Sequence, residues 1–249
     1  MSRGGRMFHL VKRTWNPITG CKHRCVYCYA KRLAEGRLKS TRKYRQGFKP
    51  AIHEHEFKKK FKPGELIFVS DMGDMWGWWV PDEWILRVLE HVKKFPDTKF
   101  LFLTKYPKRY TEFDDMLIEM ENVILGATIE TDKTIDYLVW KISEAPAPDA
   151  RLAPMWWLHY RGFENLMVSI EPVLDFNLDA FTEAIAKINP SFVYIGYDNY
   201  GNKLPEPPLS KTMKLVEALK KKGIKVYTKT MRKAWWEEQV DKQFQVTVK

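Results

Sequence analysis

Six short apolar runs recur along the chain at a spacing of about one strand plus one helix. They begin at residues 66, 100, 123, 166, 192 and 224 and are rich in β-branched, leucine and aromatic residues. Such residues favour strands, and parallel strands need long crossover connections between them. The pattern therefore predicts a parallel sheet, and a further strand around residues 8–15 would bring the number of strands to seven.

Apolar residues at helical spacing occupy the segments between these runs. One predicted helix follows Pro81 and Asp82 and has a single apolar face: Trp84, Ile85, Val88, Leu89, Val92 and Phe95. In a second, Met213, Val216 and Leu219 follow Ser210, a predicted N-cap, and precede Gly223, a predicted stop. Strands alternating with helices predict an α/β fold, a partial (β/α)6-type barrel with a possible seventh strand. We expect one domain over residues 1–249, with an insertion over about 145–162 before the strand at 166.

Polar side chains follow the predicted strands at the points where the apolar runs end. They are Ser70 and Asp71, Thr104 and Lys105, Thr128 and Glu130, Ser169 and Glu171, Tyr197 and Asp198, and Thr228 and Lys229. Active sites of parallel barrels lie at the carboxyl ends of the strands. Together these groups predict a polar ligand site there, although each one alone is equally typical of a helix cap or a solvated loop.

The positive charge of the chain lies in its first quarter. Of a net charge of +11, residues 1–62 carry 18 Lys or Arg and only 3 Asp or Glu. The basic residues of 37–62 are interspersed with Tyr44 and Phe48, a composition typical of surfaces that bind nucleic acid phosphates. A solubilising lysine-rich surface is an equally good interpretation.

The three cysteines of the chain all lie in TWNPITGCKHRCVYCYAKRLA, with the spacing C-x3-C-x2-C. A structural zinc site is closed by four ligands, so a Cys3His zinc site would need His23 or a distant histidine. A four-iron cluster held by only three cysteines instead leaves one iron open to another ligand. The absence of paired cysteines argues against a disulfide framework and favours a reducing, cytoplasmic compartment. No apolar stretch approaches the ~20 residues of a membrane span.

This segment resembles the cysteine signature of the radical S-adenosylmethionine (SAM) superfamily, in which an aromatic residue, here Tyr27, precedes the third cysteine. The resemblance implies a 4Fe-4S cluster bound by Cys21, Cys25 and Cys28, with SAM chelated to the remaining iron. It further implies reductive cleavage of SAM to a 5′-deoxyadenosyl radical, which takes hydrogen from a substrate. Such chemistry implies an electron donor such as flavodoxin or ferredoxin.

Further segments resemble an uncharacterised radical SAM family first described from phage proteins, which is distantly similar to spore photoproduct lyase. The matching segments are TWNPITGC, FVSDMGDMWGWWVPDE, FLFLTKYPKRY, VILGATIET, LMVSIEPVLD, FVYIGYDNYG and KVYTKT. They occur in the same order as in that family. The resemblance extends from Trp15 to about Met231.

Carried over by position, the resemblance implies residues that bind SAM. The backbone at Tyr27 would face the adenine. Ser70 and Asp71 stand where many radical SAM enzymes bind the SAM amino group. Glu130 and Ser169 are candidates for holding the ribose or the methionine, because carboxylates and hydroxyls suit hydroxyl and ammonium partners.

Three further residues are candidates for the catalytic, substrate-facing side: Glu171, Lys105 and Tyr197. The favoured function is a radical SAM enzyme that modifies or repairs a nucleic acid or nucleotide bound through residues 37–62. A radical SAM enzyme acting on a peptide or small metabolite is the first alternative. A zinc-containing nucleic-acid-binding module is the second.

Overall fold

The computed structural model describes residues 8–237 of the chain. They form two compact units, one of residues 8–24 and 28–127 and one of residues 25–27 and 128–237. The expectation of one domain over residues 1–249 stays a prediction, and its ends, 1–7 and 238–249, lie outside the described residues.

The first unit consists of parallel strands separated by helices. Its elements are β1 (Arg13–Trp15), β2 (Ile18–Thr19), α1 (Tyr29–Glu35), β3 (Ala51–Ile52), β4 (Leu66–Val69), α2 (Asp82–Lys93), β5 (Lys99–Thr104), α3 (Asp114–Ile118) and β6 (Val123–Thr128), with 3₁₀ helices at Glu54–Lys58 and Pro107–Glu112. The strand order is β1-β4-β5-β6, with all pairs parallel and Ile67 opposite both Arg13 and Phe100. β2 and β3 form a separate antiparallel pair. The sheet order places the ends of β1 and β4 side by side.

The second unit repeats the alternation of strand and helix. Its elements are α4 (Thr134–Val139), α5 (Pro148–Tyr160), β7 (Leu166–Ile170), α6 (Leu178–Ala186), β8 (Phe192–Ile195), α7 (Leu209–Lys221) and β9 (Val226–Thr228). β7 pairs with β8 and β8 with β9, both in parallel. All five residues of β7 and all four of β8 are buried, which is why their sequences are continuous apolar runs and not alternating patterns. The α/β class predicted from the sequence is confirmed.

Two predicted strands begin later than the apolar runs that suggested them. Residues 8–11 form a turn in which Val11 N donates to Phe8 O (3.1 Å), so that β1 starts only at Arg13. Ile224 N donates to Leu219 O (3.1 Å) and thus completes the end of α7, so that β9 starts at Val226. In both cases the backbone N–H of an apolar residue next to the strand completes a neighbouring turn and does not extend the strand.

The two predicted amphipathic helices differ in how closely they match the structure. In α2 the predicted residues Ile85, Val88, Leu89 and Val92 are buried. In α7 the predicted inner residue Met213 is 40% exposed, whereas Thr212 and Leu215 are buried. The helix also begins at Leu209 after Pro208, so Ser210 is not its N-cap. The buried residues of α7 have the spacing i, i+3, i+4, i+7 of an amphipathic helix, and the three predicted residues included only two of them, Val216 and Leu219.

The segment 145–162, expected to be an insertion, contains α5. Pro148 lies in the first turn, where its missing N–H is not needed, and Pro154 lies inside the helix. Arg151, from the same helix, is fully buried. Within residues 8–237 none of the helices has the length and apolar character that crossing a membrane requires.

Candidate functional site

The cysteine loop, residues 21–28, begins at a close backbone contact in the first unit. Gly20 has a φ of +85°, donates its N–H to Met72 O (3.0 Å) and accepts from Asp74 N (3.2 Å). A Cβ on Gly20 would lie 2.3 Å from the carbonyl of Lys49, and one on Gly73 would lie 2.8 Å from the Gly20 backbone. Only glycine fits both positions, so the sequence anchors the start of the loop to the segment that follows β4.

Cys21 and Cys28 belong to the first unit and accept hydrogen bonds through sulfur. Cys21 Sγ accepts from His23 N (3.4 Å). Cys28 is the N-cap of α1, and its Sγ accepts from Lys31 N (3.3 Å). Backbone N–H groups favour a thiolate over a thiol, and both side chains are half-buried and outside any disulfide. Both sulfurs are therefore suited to binding a metal.

A small apolar cluster packs behind these two cysteines. Its buried members are Ala30, Ala34, Tyr44, Phe48 and Met72. Tyr44 and Phe48, which the sequence placed among the basic residues of 37–62, thus support the cysteine loop. Because both rings are buried, they contribute to packing and are not exposed for stacking on bases.

His23 and Asp74 form a buried pair that the sequence analysis missed. His23 Nε2 lies 3.0 Å from Asp74 Oδ2, and the carboxylate also accepts from Thr104 Oγ1, Trp76 N and Lys105 N at 2.8 to 3.1 Å. Burial opposes ionisation of Asp74, but these hydrogen bonds outweigh it and hold its pKa below the ordinary value. The sequence signal was a second carboxylate three residues after Asp71, and His23 was considered only as a zinc ligand.

Ser70 and Asp71, predicted to bind the SAM amino group, lie at the carboxyl end of β4. Asn16 Nδ2 donates to Asp71 Oδ1 (2.6 Å), but burial raises the pKa of this carboxyl above its ordinary value. Ser70 is 4% exposed, has a φ of +57°, and its hydroxyl has no hydrogen-bond partner among residues 8–237. A buried hydroxyl without a partner is rare and fits a site that binds a polar ligand.

Lys105 follows β5 in the same unit. Its backbone N–H donates to Asp74 Oδ2 (3.0 Å), so its main chain belongs to the surroundings of the buried pair, and its side chain is half-buried. Its predicted contact with substrate stays a prediction.

In the second unit, residues 25–27 of the cysteine loop bond to residues near α4. Cys25 Sγ lies 3.1 Å from Ser143 Oγ, and Val26 N donates to Ile142 O (3.0 Å). Tyr27 packs against Tyr137, Ile142, Leu174 and Leu204. These contacts hold the middle of the loop in place.

Glu130, predicted to hold SAM, lies in a fully buried ion pair. Arg151 Nη1 donates to Glu130 Oε2 (2.7 Å), and both side chains are 0% exposed. The other oxygen accepts from the Tyr27 hydroxyl and lies 3.4 Å from that of Tyr137. Burial, then Glu130, raises the pKa of Tyr27, so the phenol stays protonated and donates. The carboxylate is thus occupied by protein partners.

The remaining predicted residues of the second unit lie at the ends of β7 to β9. Lys229 Nζ lies 2.9 Å from Glu171 Oε1, and Ser169 Oγ donates to Glu171 Oε2 (3.3 Å). The structure therefore brings Ser169 and Glu171 together. A Cβ on Gly196 would lie 3.1 Å from Glu171 Oε1, so this glycine leaves room for the pair.

Tyr197, a predicted catalytic residue, is 2% exposed. Its hydroxyl donates to Pro207 O (3.0 Å) and lies 2.7 Å from Thr212 Oγ1. Burial raises its pKa to about 12. These contacts give the side chain a packing function, and its catalytic role stays a prediction.

The basic region 37–62 divides into exposed and paired residues. Lys43 Nζ bonds to Glu56 Oε1 (2.5 Å) and to Asn16 O (3.2 Å), with Glu56 buried. The exposed members are Arg37, Lys39, Arg42, Arg45, Lys49, Lys58, Lys59, Lys60 and Lys62, of which Lys59 also pairs with Glu56 Oε2 (2.7 Å). Lys43 therefore serves the fold, while the exposed residues could contact a polyanion.

The three cysteines of the loop are the residues that could hold a metal centre. Within residues 8–237 no three His, Cys, Asp or Glu side chains are grouped to hold one ion. A structural zinc needs four converging ligands. Each cysteine of a four-iron cluster binds a different iron, so its sulfurs need not converge on one point. Three half-buried thiols on one short loop suit that arrangement.

Comparisons with known proteins place the fold. Residues 7–155, more than half of the chain, match the family model described as "Protein of unknown function (DUF5131)". No curated protein matches the chain in sequence. Among solved structures, a spore photoproduct lyase variant with bound AdoMet and dinucleoside spore photoproduct is 14% identical, with a TM-score of 0.52 over 84% of this chain and 61% of that one.

Two structures of SuiB from Streptococcus suis are also similar. The complex with S-adenosylmethionine is 9% identical, with a TM-score of 0.53 over 87% of this chain and 50% of that one. The complex with precursor peptide SuiA is 10% identical, with a TM-score of 0.52 over 87% and 48%. The chain thus spans about half to three fifths of these proteins. At such low identity the likeness shows the fold alone, which is the predicted partial barrel of radical SAM enzymes.

Proposed function

The chain belongs to the DUF5131 family of proteins of unknown function, and from this starting point we propose that it is a radical SAM enzyme. The observation that carries the proposal is the cysteine loop. The only three cysteines of the chain follow its first strands, and two of their sulfurs accept backbone N–H bonds. This loop occurs in a chain with the fold of spore photoproduct lyase and SuiB.

In this proposal Cys21, Cys25 and Cys28 hold a 4Fe-4S cluster to which SAM binds. On reduction by one electron, the bound cluster and SAM would supply methionine and a 5′-deoxyadenosyl radical, and the radical would take hydrogen from a substrate. Ser70, whose buried hydroxyl has no partner among the described residues, and Asp71 would bind the polar end of SAM. An electron donor such as flavodoxin or ferredoxin and a reducing, cytoplasmic compartment belong to the same proposal, as does membership of the phage-protein type of radical SAM family.

The cluster is tested by replacing each cysteine with Ala. Anaerobically reconstituted wild-type protein is expected to contain about four irons and four sulfides per chain and to release 5′-deoxyadenosine with SAM and dithionite. Each single variant should lose both properties, because each thiolate holds one iron. Ser143→Ala, which removes only the hydroxyl beside Cys25, is the matched control and should keep the iron. Undiminished 5′-deoxyadenosine from any cysteine variant would refute the cluster.

We further propose that the substrate is a nucleic acid. Nine exposed Lys or Arg residues lie within 37–62. Each phosphate that such residues neutralise releases counterions and favours binding. The similar spore photoproduct lyase structure contains a dinucleoside, which is consistent with this class of substrate. The SuiB complex with a precursor peptide supports the alternative, a peptide substrate.

Salt-dependent binding separates these two substrates. Affinity of the wild-type protein for a DNA or RNA oligonucleotide should fall with salt. Reversing Arg42 and Arg45 to Glu should reduce the magnitude of the slope of log affinity against log salt concentration by about two. Lys43 is left unchanged because its reversal would place a second carboxylate beside buried Glu56. Reversal of the exposed Lys220 and Lys221 on α7 changes the net charge equally and should leave the slope near wild type. Absent binding at low salt, or equal effects of both reversals, would favour the peptide.

A further inference from the structure

We infer that Arg151 is a positioning residue for the cysteine loop and acts through Glu130 and Tyr27 on the segment that carries Cys25. The inference rests on the proposed function only in taking cluster binding as the reason why the loop is positioned. The contacts themselves lie entirely within the second unit. They connect a helix expected to be an insertion with the middle of the loop.

Arg151 is held without access to solvent. Its exposed fraction is 0%, and its guanidinium donates to Pro146 O (2.6 Å), Thr128 O (2.8 Å), Glu130 Oε2 (2.7 Å) and Tyr137 Oη (2.9 Å). The carbonyl of Thr128, the first residue of the second unit after the loop segment, fixes the guanidinium to the main chain. A planar guanidinium with this many acceptors has one orientation, which a lysine ammonium cannot reproduce.

Glu130 connects the fixed guanidinium to the cysteine loop. One carboxylate oxygen accepts from Arg151 and the other from the Tyr27 hydroxyl. A buried carboxylate needs hydrogen-bonding partners, and Arg151 holds one oxygen of Glu130 so that the other faces Tyr27. Tyr27 in turn lies between Val26, whose N–H donates to Ile142 O, and Cys28. Fixing the ring at position 27 therefore restricts the path of the backbone at Cys25, two residues before it.

The reactivity of Cys25 in the metal-free full-length protein tests this inference without SAM, iron or substrate. Iodoacetamide labels each half-exposed thiol at a rate that reports local opening. Trypsin cleaves after Lys22 and Arg24, so Cys21 falls in a different peptide from Cys25 and Cys28, which fragmentation separates. A protein that never binds a cluster would give the same answer, so failure of the proposed function is distinguishable from failure of the inference.

Tyr27→Phe removes the hydroxyl between loop and carboxylate but keeps the ring, and it should raise the labelling rate of Cys25 about fivefold, the size of one net hydrogen bond. Tyr110→Phe is the matched control, because it removes a buried phenol hydroxyl that donates to Gly126 O (2.9 Å) in the first unit; Cys25 should react as in wild type. Equal acceleration by both variants, or by neither, would overturn the inference.

A double-variant cycle tests whether Arg151 acts through Tyr27. Arg151→Lys keeps the charge but loses the planar fork, and it should accelerate labelling of Cys25 in the wild-type background severalfold. In the Tyr27→Phe background it should add nothing, since the connection to the loop is already cut. Equal acceleration in both backgrounds, together with faster labelling of Cys21, would show general loosening and would contradict a positioning role.

Discussion

Two buried carboxylates, one in each compact unit, bond to residues of the same eight-residue loop, and they are stabilised in different ways. Asp74 in the first unit holds His23 and is surrounded by donors from Thr104 and the backbone. Glu130 in the second unit holds Tyr27 and is neutralised by the guanidinium of Arg151. Asp74 is stabilised by His23 together with hydrogen bonds from Thr104 and two backbone N–H groups, whereas Glu130 pairs with the buried guanidinium of Arg151.

The difference determines how each region should respond to substitution. Removing one donor from Asp74 leaves several others in place. Removing Arg151 leaves Glu130 as a buried charge with no cation beside it, and the cost of such a charge exceeds that of a lost hydrogen bond. Glu130 and Arg151 are therefore expected to be strongly coupled, whereas the partners of Asp74 should contribute more nearly independently.

The largest expected effect is that of Arg151→Met on stability. It should lower the free energy of unfolding by about 3–5 kcal/mol, because it strands the carboxylate of Glu130 in the interior. Adding Glu130→Gln should recover part of this loss, since the remaining charge is then removed as well. Denaturant unfolding of the two single variants and the double variant measures the coupling.

Lys214→Met supplies the control for this cycle. Lys214 is an exposed residue of α7, and its substitution removes one cation at a cost below about 0.5 kcal/mol. Strict additivity of Arg151→Met and Glu130→Gln would mean that the two residues do not stabilise each other, and the contrast with Asp74 would then disappear.

The sequence predicted the sheet more completely than the site. Continuous apolar runs such as 166–170 and 192–195 identified strands because burial on both faces leaves no polar positions. The polar residues after the strands were found because they mark the points where the buried runs end. The sequence did not reveal their hydrogen-bond and ion-pair partners. Arg151 lies in an alanine- and proline-rich segment with no local feature that marks it, and only the fold brings it to Glu130, 21 residues earlier.

Asp71 and Asp74 show the same limit over a much shorter distance. They are three residues apart and identical in type, and the sequence favoured Asp71 because it directly follows the strand. Their environments differ in the number of hydrogen-bond donors, so that the pKa of Asp71 is raised by burial while that of Asp74 is lowered. Tertiary contacts determine these directions, and the sequence spacing does not reveal them.

The smaller effect expected is that of Asp74→Asn, about 1–3 kcal/mol of lost stability near neutral pH. A folded-state pKa below the unfolded value of 3.8 means that ionised Asp74 stabilises the fold above pH 3.8, and that this contribution is lost as the pH falls through the folded pKa. The difference in unfolding free energy between Asp74→Asn and wild type should therefore shrink on acidification. Asp71→Asn is the matched control with the opposite sign: its raised pKa means that ionisation costs stability, so the variant should gain on wild type as the pH rises. Denaturant unfolding across the acid range measures both. If the two variants differed from wild type in unfolding free energy with the same sign near neutral pH, the two carboxyls would not differ as the structure indicates.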